Sequence, residues 1–220
     1  MEEKKIVALK KEEFALKEMI KNRNGKGKMS KVRIEYTPVG EKIIIKTAKP
    51  GFIIGRMGEN IEILTKMIKE NFNFENPRIE IEEIKEPNLD AQTIADEIAW
   101  ALERFGPLKF KAIAYRTLQK IIDAGALGAE IRLSGKLPGS RARPWRFAQG
   151  YLKKTGDEAK VVDYAKARAE TKPGTVGIKV KILPPKAILK DRIEINEELI
   201  KKLKKQKNED KENKIKEKKK

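Results

Sequence analysis

The 220-residue chain contains neither cysteine nor histidine. That excludes disulfides, thiol nucleophiles, zinc sites built on Cys or His, haem attachment and Ser-His-Asp catalysis. Carboxylate, Lys, Tyr or Ser/Thr chemistry is left, or no catalysis. The missing cysteine fits a reducing compartment. Long apolar runs are also missing: they last a few residues, as in Ile43-Ile44-Ile45, too short to span a membrane. Met1-Glu2-Glu3-Lys4-Lys5 opens a charge-interrupted stretch, not the apolar core of a signal peptide. No G-x-x-x-x-G-K-[ST] loop occurs. Glu80, Glu82 and Glu83 alternate along one segment among lysines, as a solvated strand face does, so no acid pair, metal cluster or cofactor site is expected. What the chain has in excess is positive charge: 51 Lys+Arg against 33 Asp+Glu, net +18, with 38% of residues charged. Such a balance calls for a polyanion, nucleic acid ahead of acidic lipid. The length suits one large or two modest domains, each big enough for a core.

Residues 5–22 are predicted as an amphipathic helix with Ile6, Leu9, Leu16 and Ile20 near one face, ended by Asn24, Gly25 and Gly27. Val32, Ile34 and Tyr36 alternate as in a half-buried strand. Pro38-Val39-Gly40-Glu41 is a turn, and residues 42–48 form a strand whose Ile triplet implies burial on both faces. A Gly-rich passage precedes a helix over 59–71 with Ile61, Leu64 and Ile68 inward, then a strand over 78–84 with Ile79 and Ile81 on one side. A linker begins at Glu86-Pro87. Asp90 caps a helix bearing Ile94, Ile98, Leu102 and Phe105, which Gly106-Pro107 stops. A helix over 108–124 turns Phe110, Ala114, Leu118 and Ile121 inward and puts Lys109, Arg116 and Lys120 on the opposite stripe. Strands are expected over 129–133, 146–152, 160–165 and 176–183, antiparallel where turns are short. Ile195, Leu199 and Leu203 seed a short helix after Asn196, and the composition beyond Gln206 favours disorder. The last 20 residues hold eleven lysines against four acids, as a solubilising end or as a polybasic arm for RNA phosphate.

Two features bear on binding. The first is Gly55-Arg56-Met57-Gly58, a tight turn between an apolar step and a helix start. Glycines let a phosphodiester approach the backbone, the helix presents free N–H groups, and Arg56 adds charge. KH domains grip single-stranded backbone in this way; a turn that binds nothing is the alternative. Gly125-Ala126-Leu127-Gly128 has the same spacing but no basic residue and follows a helix, so it is a plain turn. The second feature is the stretch 131–156, which carries Arg132, Lys136, Arg141, Arg143, Arg146, Lys153 and Lys154 and no acid. Its Gly/Pro loop with basic tips suits an RNA backbone. Phe147 is expected in the core and Trp145 is open between core and stacking. Of the net +18, +7 sits in the last 20 residues and +7 in this stretch, leaving +4 for the rest.

At Lys49-Pro50-Gly51-Phe52-Ile53-Ile54-Gly55-Arg56-Met57-Gly58, at the segment from Leu133 to Arg143, at Gly150-Tyr151-Leu152-Lys153-Lys154-Thr155-Gly156-Asp157 and at Val176-Gly177-Ile178-Lys179-Val180-Lys181-Ile182, the sequence resembles the universal S3 family of small-subunit ribosomal proteins, archaeal/eukaryotic branch. The resemblance covers roughly residues 1–185. It implies an α+β chain: a type II KH domain (1–87), the S3 C-terminal α+β domain (88–187) and a basic tail (188–220), partly helical or disordered. It further implies a non-enzymatic, cytoplasmic component of the small-subunit head, with small-subunit rRNA, mRNA at the channel through which it enters, and neighbouring head proteins as partners, and no membrane or small-molecule substrate. RNA contacts fall on Gly55, Arg56, Met57 and Gly58, on Lys109, Lys111, Arg116 and Lys120, and on the seven cations of 132–154. Bacterial members use basic residues of the helix after the linker to unwind mRNA. The three matching positions here are Lys111, Ala112 and Tyr115, so only one is basic, with Arg116 alongside. The rivals are a free-standing KH regulator of single-stranded transcripts and a nucleic-acid-processing enzyme.

Overall fold

The computed structural model describes residues 2–187 except 26, 38, 39, 73, 75 and 140, together with Leu189. Residues to Ala187 form one compact unit containing two sheets. The tail's expected helix and disorder lie outside the described residues.

The first sheet has β2 (Gly40–Thr47) at its centre, antiparallel to β1 (Val32–Thr37) and parallel to β3 (Arg78–Glu83). Register places Ile43 between Ile34 and Ile79, and Ile45 between Val32 and Ile81, so one face is apolar across all three strands. Helices α1 (Glu2–Asn24), α2 (Pro50–Ile54) and α3 (Glu59–Asn71) cover that face with Leu16, Ile20, Ile53, Leu64 and Ile68. Ile44, on the other face, is buried as well, as the Ile triplet implied. Beside it, Lys42 pairs with Glu80 at 2.8 Å and Lys46 with Glu82 at 2.7 Å, the alternating solvated face read in the sequence.

Two readings of this half change. Gly40 and Glu41 belong to β2, opposite Thr37 and Tyr36, not to a turn. Helix α1 is longer than expected, and Ile6 and Leu9 are exposed. A 23-residue helix runs about 35 Å, whereas strands of six to eight residues reach roughly 20–27 Å, so the N-terminal turns outrun the sheet.

In the second half, α4 (Ala91–Phe105) and α5 (Phe110–Asp123) pack on one face of an antiparallel sheet ordered β5-β4-β7-β6, built from β4 (Gly128–Gly135), β5 (Arg143–Gly150), β6 (Asp163–Thr171) and β7 (Gly174–Leu183). Ile94, Ile98 and Leu102 of α4 and Phe110, Ala114, Leu118 and Ile121 of α5 meet Ile131, Leu133, Ile178, Val180 and Ile182 in a single core. Asp90 caps α4, accepting the Thr93 N–H at 2.8 Å. Phe105 departs from the reading: it is exposed, and Arg104 and Lys109 lie 5.3 and 5.9 Å from its ring centroid where core side chains were expected. Strand limits shift too. β5 starts at Arg143 and ends at Gly150, whose φ of +76° is left-handed. Lys160 and Val161 belong to a 3-10 turn, and β6 starts at Asp163.

Hydrogen bonds join the two halves. The Asp163 carboxylate accepts the Ala91 N–H at 2.9 Å and pairs with Lys31 Nζ at 2.6 Å. Ser30 Oγ donates to Asp90 at 2.6 Å, and the Gly27 N–H to Asp96 at 3.2 Å. Asp96 is buried, and that burial pushes its carboxyl above the usual range against the pull of Gln92, Lys21 and the Gly27 N–H.

Candidate nucleic-acid interface

Between α2 and α3 the chain takes positive φ at three of four residues: Gly55 (+74°), Met57 (+50°) and Gly58 (+87°). The two glycines are needed for different reasons. A Cβ on Gly55 would sit 2.7 Å from the Asn60 side chain, which donates to the Phe52 carbonyl at 3.2 Å and ties the turn to α2. Gly58 meets nothing within 4 Å, so only its backbone angle demands glycine and its surface is open to a ligand. Arg56 and Met57 are exposed. No side chain caps α3 at Gly58; the Glu59 N–H donates to the Arg56 carbonyl, and the N–H groups that follow in the first turn face an anion without a side-chain competitor. Glu59 and Glu62 stand in that same first turn and offset Arg56, so the grip offered here is one of backbone shape. The Gly125–Gly128 spacing is the plain turn expected: Gly125 closes α5 with a φ of +90°, and a Cβ on Gly128 would strike the Tyr151 carbonyl at 2.1 Å.

The basic stretch is free of acids in sequence but not in space. Glu130, one residue before it, lies in β4 with a side chain 9% exposed, and its Oε2 is 3.0 Å from both Arg146 Nε and Lys154 Nζ. Burial pushes the Glu130 carboxyl up, but the hydrogen bonds and charges of Lys154 and Arg146 outweigh it and hold the group below its ordinary value. Lys153 pairs with Glu158 at 3.1 Å. Arg132, Lys136, Arg141 and Arg143 are exposed and make no ion pair among the described residues. Leu137, 3% exposed, pins the loop between β4 and β5 to the core.

The helical cations stand apart from these, because α5 covers the opposite face of the sheet from Arg132 and Arg146. Lys111 lies 4.9 Å from the Trp145 ring centroid, and Trp145 meets Phe110 edge-on at 5.3 Å; the tryptophan is therefore packed on the core, and Lys111 covers it. Phe147 is buried as expected, with Tyr115 edge-on at 5.1 Å. Lys120 is tied to Glu97 at 2.7 Å. Lys109 and Arg116 are exposed, Lys109 beside Phe105. The residues singled out in the sequence thus occupy three places: the turn at 55–58, the α5 side, and the open face and loop of the second sheet.

Cations on β6 and β7 were missed. Register sets Arg132 between Arg146 and Lys179, and Lys179 beside Lys166, a lateral row with one cation on each strand. Lys181 and Arg168 flank it on the same face. A concavity of about 460 Å³ adjoins the row, lined by Arg132, Lys153, Lys154, Lys179, Lys181 and Tyr164, with Glu130. The signal was present as alternation, Lys166-Ala167-Arg168 and Lys179-Val180-Lys181. Among the described residues, no group of three or more Asp or Glu could hold a metal ion, and no helix is long and apolar enough to cross a membrane.

Comparison with known families gives two matches in order along the chain: a KH domain over residues 13–89 and the ribosomal protein S3 C-terminal domain over 98–182. Among curated proteins, the chain is 45% identical over 163 residues to the small ribosomal subunit protein uS3 of Halobacterium salinarum, covering 74% of this chain and 53% of that one. To the uS3 protein of Natronomonas pharaonis it is 41% identical over 86% of this chain and 60% of the relative. To that of Methanocaldococcus jannaschii it is 41% identical over 82% of this chain and 86% of the relative. The chain therefore spans little more than half the length of the two halophile relatives it matches, and most of the third.

Proposed function

The chain belongs to the S3 family of small-subunit ribosomal proteins, and from that premise we propose that it is a structural, RNA-binding constituent of the small ribosomal subunit, working in the cytoplasm on the ribosome and not as an enzyme. The proposal divides it into a KH unit over 1–87, an S3 C-terminal unit over 88–187 and a basic arm over 188–220. One observation carries the reading. A single compact unit holds both an open glycine turn at the N-terminus of a helix and a sheet whose outer face is lined with cations. Two anion-seeking surfaces of different kinds on one compact unit suit a protein that fastens folded RNA.

Within that role, the exposed Arg132, Lys136, Arg141 and Arg143 contact small-subunit rRNA or incoming mRNA at its channel, with Lys109 and Arg116 on a second side beside neighbouring head proteins. Tagged protein from cell extract is expected to sediment with small subunits at low salt. Its absence from those fractions, with the protein recovered in light RNA-bound complexes, favours a free-standing KH regulator and overturns the ribosomal reading. A photoreactive residue at position 136 or 141 then separates rRNA from mRNA contact by the species crosslinked.

A further inference from the structure

We infer that the open face of the second sheet docks the sugar–phosphate backbone of double-helical RNA, without regard to sequence and separately from the turn at 55–58. This rests on the RNA-binding reading above and names the class of RNA held at that face.

Antiparallel register sets Arg146, Arg132, Lys179 and Lys166 side by side across all four strands. With neighbouring strands about 4.8 Å apart, the row spans roughly 14 Å. Two residues along the strands in one direction lies Lys181, beside Tyr164; two residues in the other lies Arg168. Each step of two residues is about 7 Å, so the cations fill a patch, not a line. Acids on this face are few. Glu130 is taken up by Arg146 and Lys154, and Glu170 lies 3.8 Å from Arg168 near the end of β6. Arg132, Lys166, Lys179 and Lys181 make no ion pair among the described residues.

Like charges directly opposite one another on adjacent strands repel. The same chain shows the ordinary solution in its other sheet, where Lys46 on β2 lies opposite Glu82 on β3, and Lys42 lies opposite Glu35 on β1 and pairs diagonally with Glu80. The second sheet does the reverse with Lys166, Lys179 and Arg132 in succession. Such a row is unfavourable until a polyanion neutralises it.

The form of the polyanion follows from the surface. Single strands are held along a groove in which bases stack on aromatic rings. The only aromatic among these face residues is Tyr164, and the ammonium groups of Lys166 and Lys181 lie 5.5 and 5.6 Å from its centroid. A duplex instead presents two backbones across a wide, shallow minor groove and is recognised by shape and phosphate contact. One backbone crosses the row while the other reaches the adjoining concavity beside Lys181.

The test compares the full-length chain with its K166Q/K179Q/K181Q variant on a 20-base-pair RNA duplex and on an unstructured single strand of the same length. Losing three phosphate contacts should lower the log–log salt slope for the duplex by about three, so that between 50 and 200 mM salt the wild type loses roughly 40-fold more affinity than the variant. Affinity for the single strand should stay within about twofold, and a scrambled duplex should bind the wild type equally well. Without RNA at low salt the variant should melt no lower than the wild type, which excludes misfolding as the cause. An unchanged duplex slope, an equal loss on the single strand, or a strong preference among duplex sequences each overturns the inference. Sedimentation of the variant with small subunits at the same time leaves the ribosomal reading standing, so the two failures are distinguishable.

Discussion

Replacing Glu130 with Gln should weaken the free protein and strengthen its hold on RNA. The carboxylate sits in β4 with 9% of its side chain exposed, and both Arg146 and Lys154 reach Oε2 at 3.0 Å. Gln keeps the shape and one acceptor but removes the charge. Breaking a fully buried ion pair costs about 3–5 kcal/mol, but the two cations here are half exposed and can turn to water, so about 1–2 kcal/mol is expected. For a folded unit of this size that is a fall in Tm of about 3–6 °C. The pH dependence has a definite sign. The folded carboxyl titrates below its unfolded value, so its contribution is complete above the unfolded pKa and is lost as pH falls through the folded one. The wild-type advantage should therefore hold from neutral pH down to the ordinary carboxylate range and shrink below it. On RNA the effect reverses, because Gln frees Arg146 and Lys154 for phosphate: the duplex salt slope should rise by about one to two. Thermal melts across pH and duplex titrations across salt read both effects. Equal stability would refute the ion-pair account. A variant both less stable and weaker on RNA would show that Glu130 aims its cations at the ligand instead of competing with it.

Three further substitutions test other parts of the structure. Gly58→Asp should reduce single-strand binding about tenfold at 0.1 M salt through charge beside the phosphate, while Gly58→Asn, with the same positive φ to accommodate, stays within about threefold; equal losses in a filter-binding assay would assign the effect to strain. Gly128→Ala should cost about 3 kcal/mol or more, since its Cβ would strike the Tyr151 carbonyl, against about 1 kcal/mol for Gly125→Ala, where only φ is unfavourable; urea titration of both variants measures the difference. Asp96→Asn should show a pH trend opposite to that of Glu130→Gln. The folded Asp96 carboxyl titrates above its unfolded value, so the wild type is at its best relative to the variant below the unfolded pKa and loses ground as pH rises through the folded one. Urea titrations from pH 4 to 7 with a flat difference would contradict that.

Much of the fold was legible because local chemistry and tertiary packing agree. Helix α3 begins and ends where the sequence puts it, between Gly58 and Phe72, and Asp90 does cap α4. Ile43-Ile44-Ile45 is buried on both faces as the triplet implies. Errors fall where a boundary is set by a distant partner. Gly150 ends β5 because the chain there closes against Leu127, 23 positions away, whose carbonyl would lie 2.4 Å from a Cβ. Phe105 has the spacing of a core residue on α4, yet at the last turn it takes Arg104 and Lys109 as neighbours.

The cationic surface shows the same limit more sharply, and with a consequence. Counting along the chain makes 131–156 a pure block of positive charge, yet Glu130 and Glu158 just outside it neutralise Arg146, Lys153 and Lys154 in space. Conversely Lys166, Lys179 and Lys181 look unremarkable in sequence, each alternating with an apolar neighbour, and join Arg132 in one patch only when register lays β7 beside β4 and β6 beside β7. The net charge is thus divided differently from how it reads. At the turn of 55–58, Arg56 is opposed by Glu59 and Glu62, and holding a strand there depends on backbone N–H groups and open glycine surface. On the second sheet, holding a duplex depends on uncompensated cations and the release of counterions. Two sites built on such different terms should respond differently to ionic strength: raising salt is expected to strip a duplex from the sheet steeply and to release a strand from the turn over a much shallower gradient. Parallel slopes for the two ligands would mean that both are drawn to one undivided basic surface.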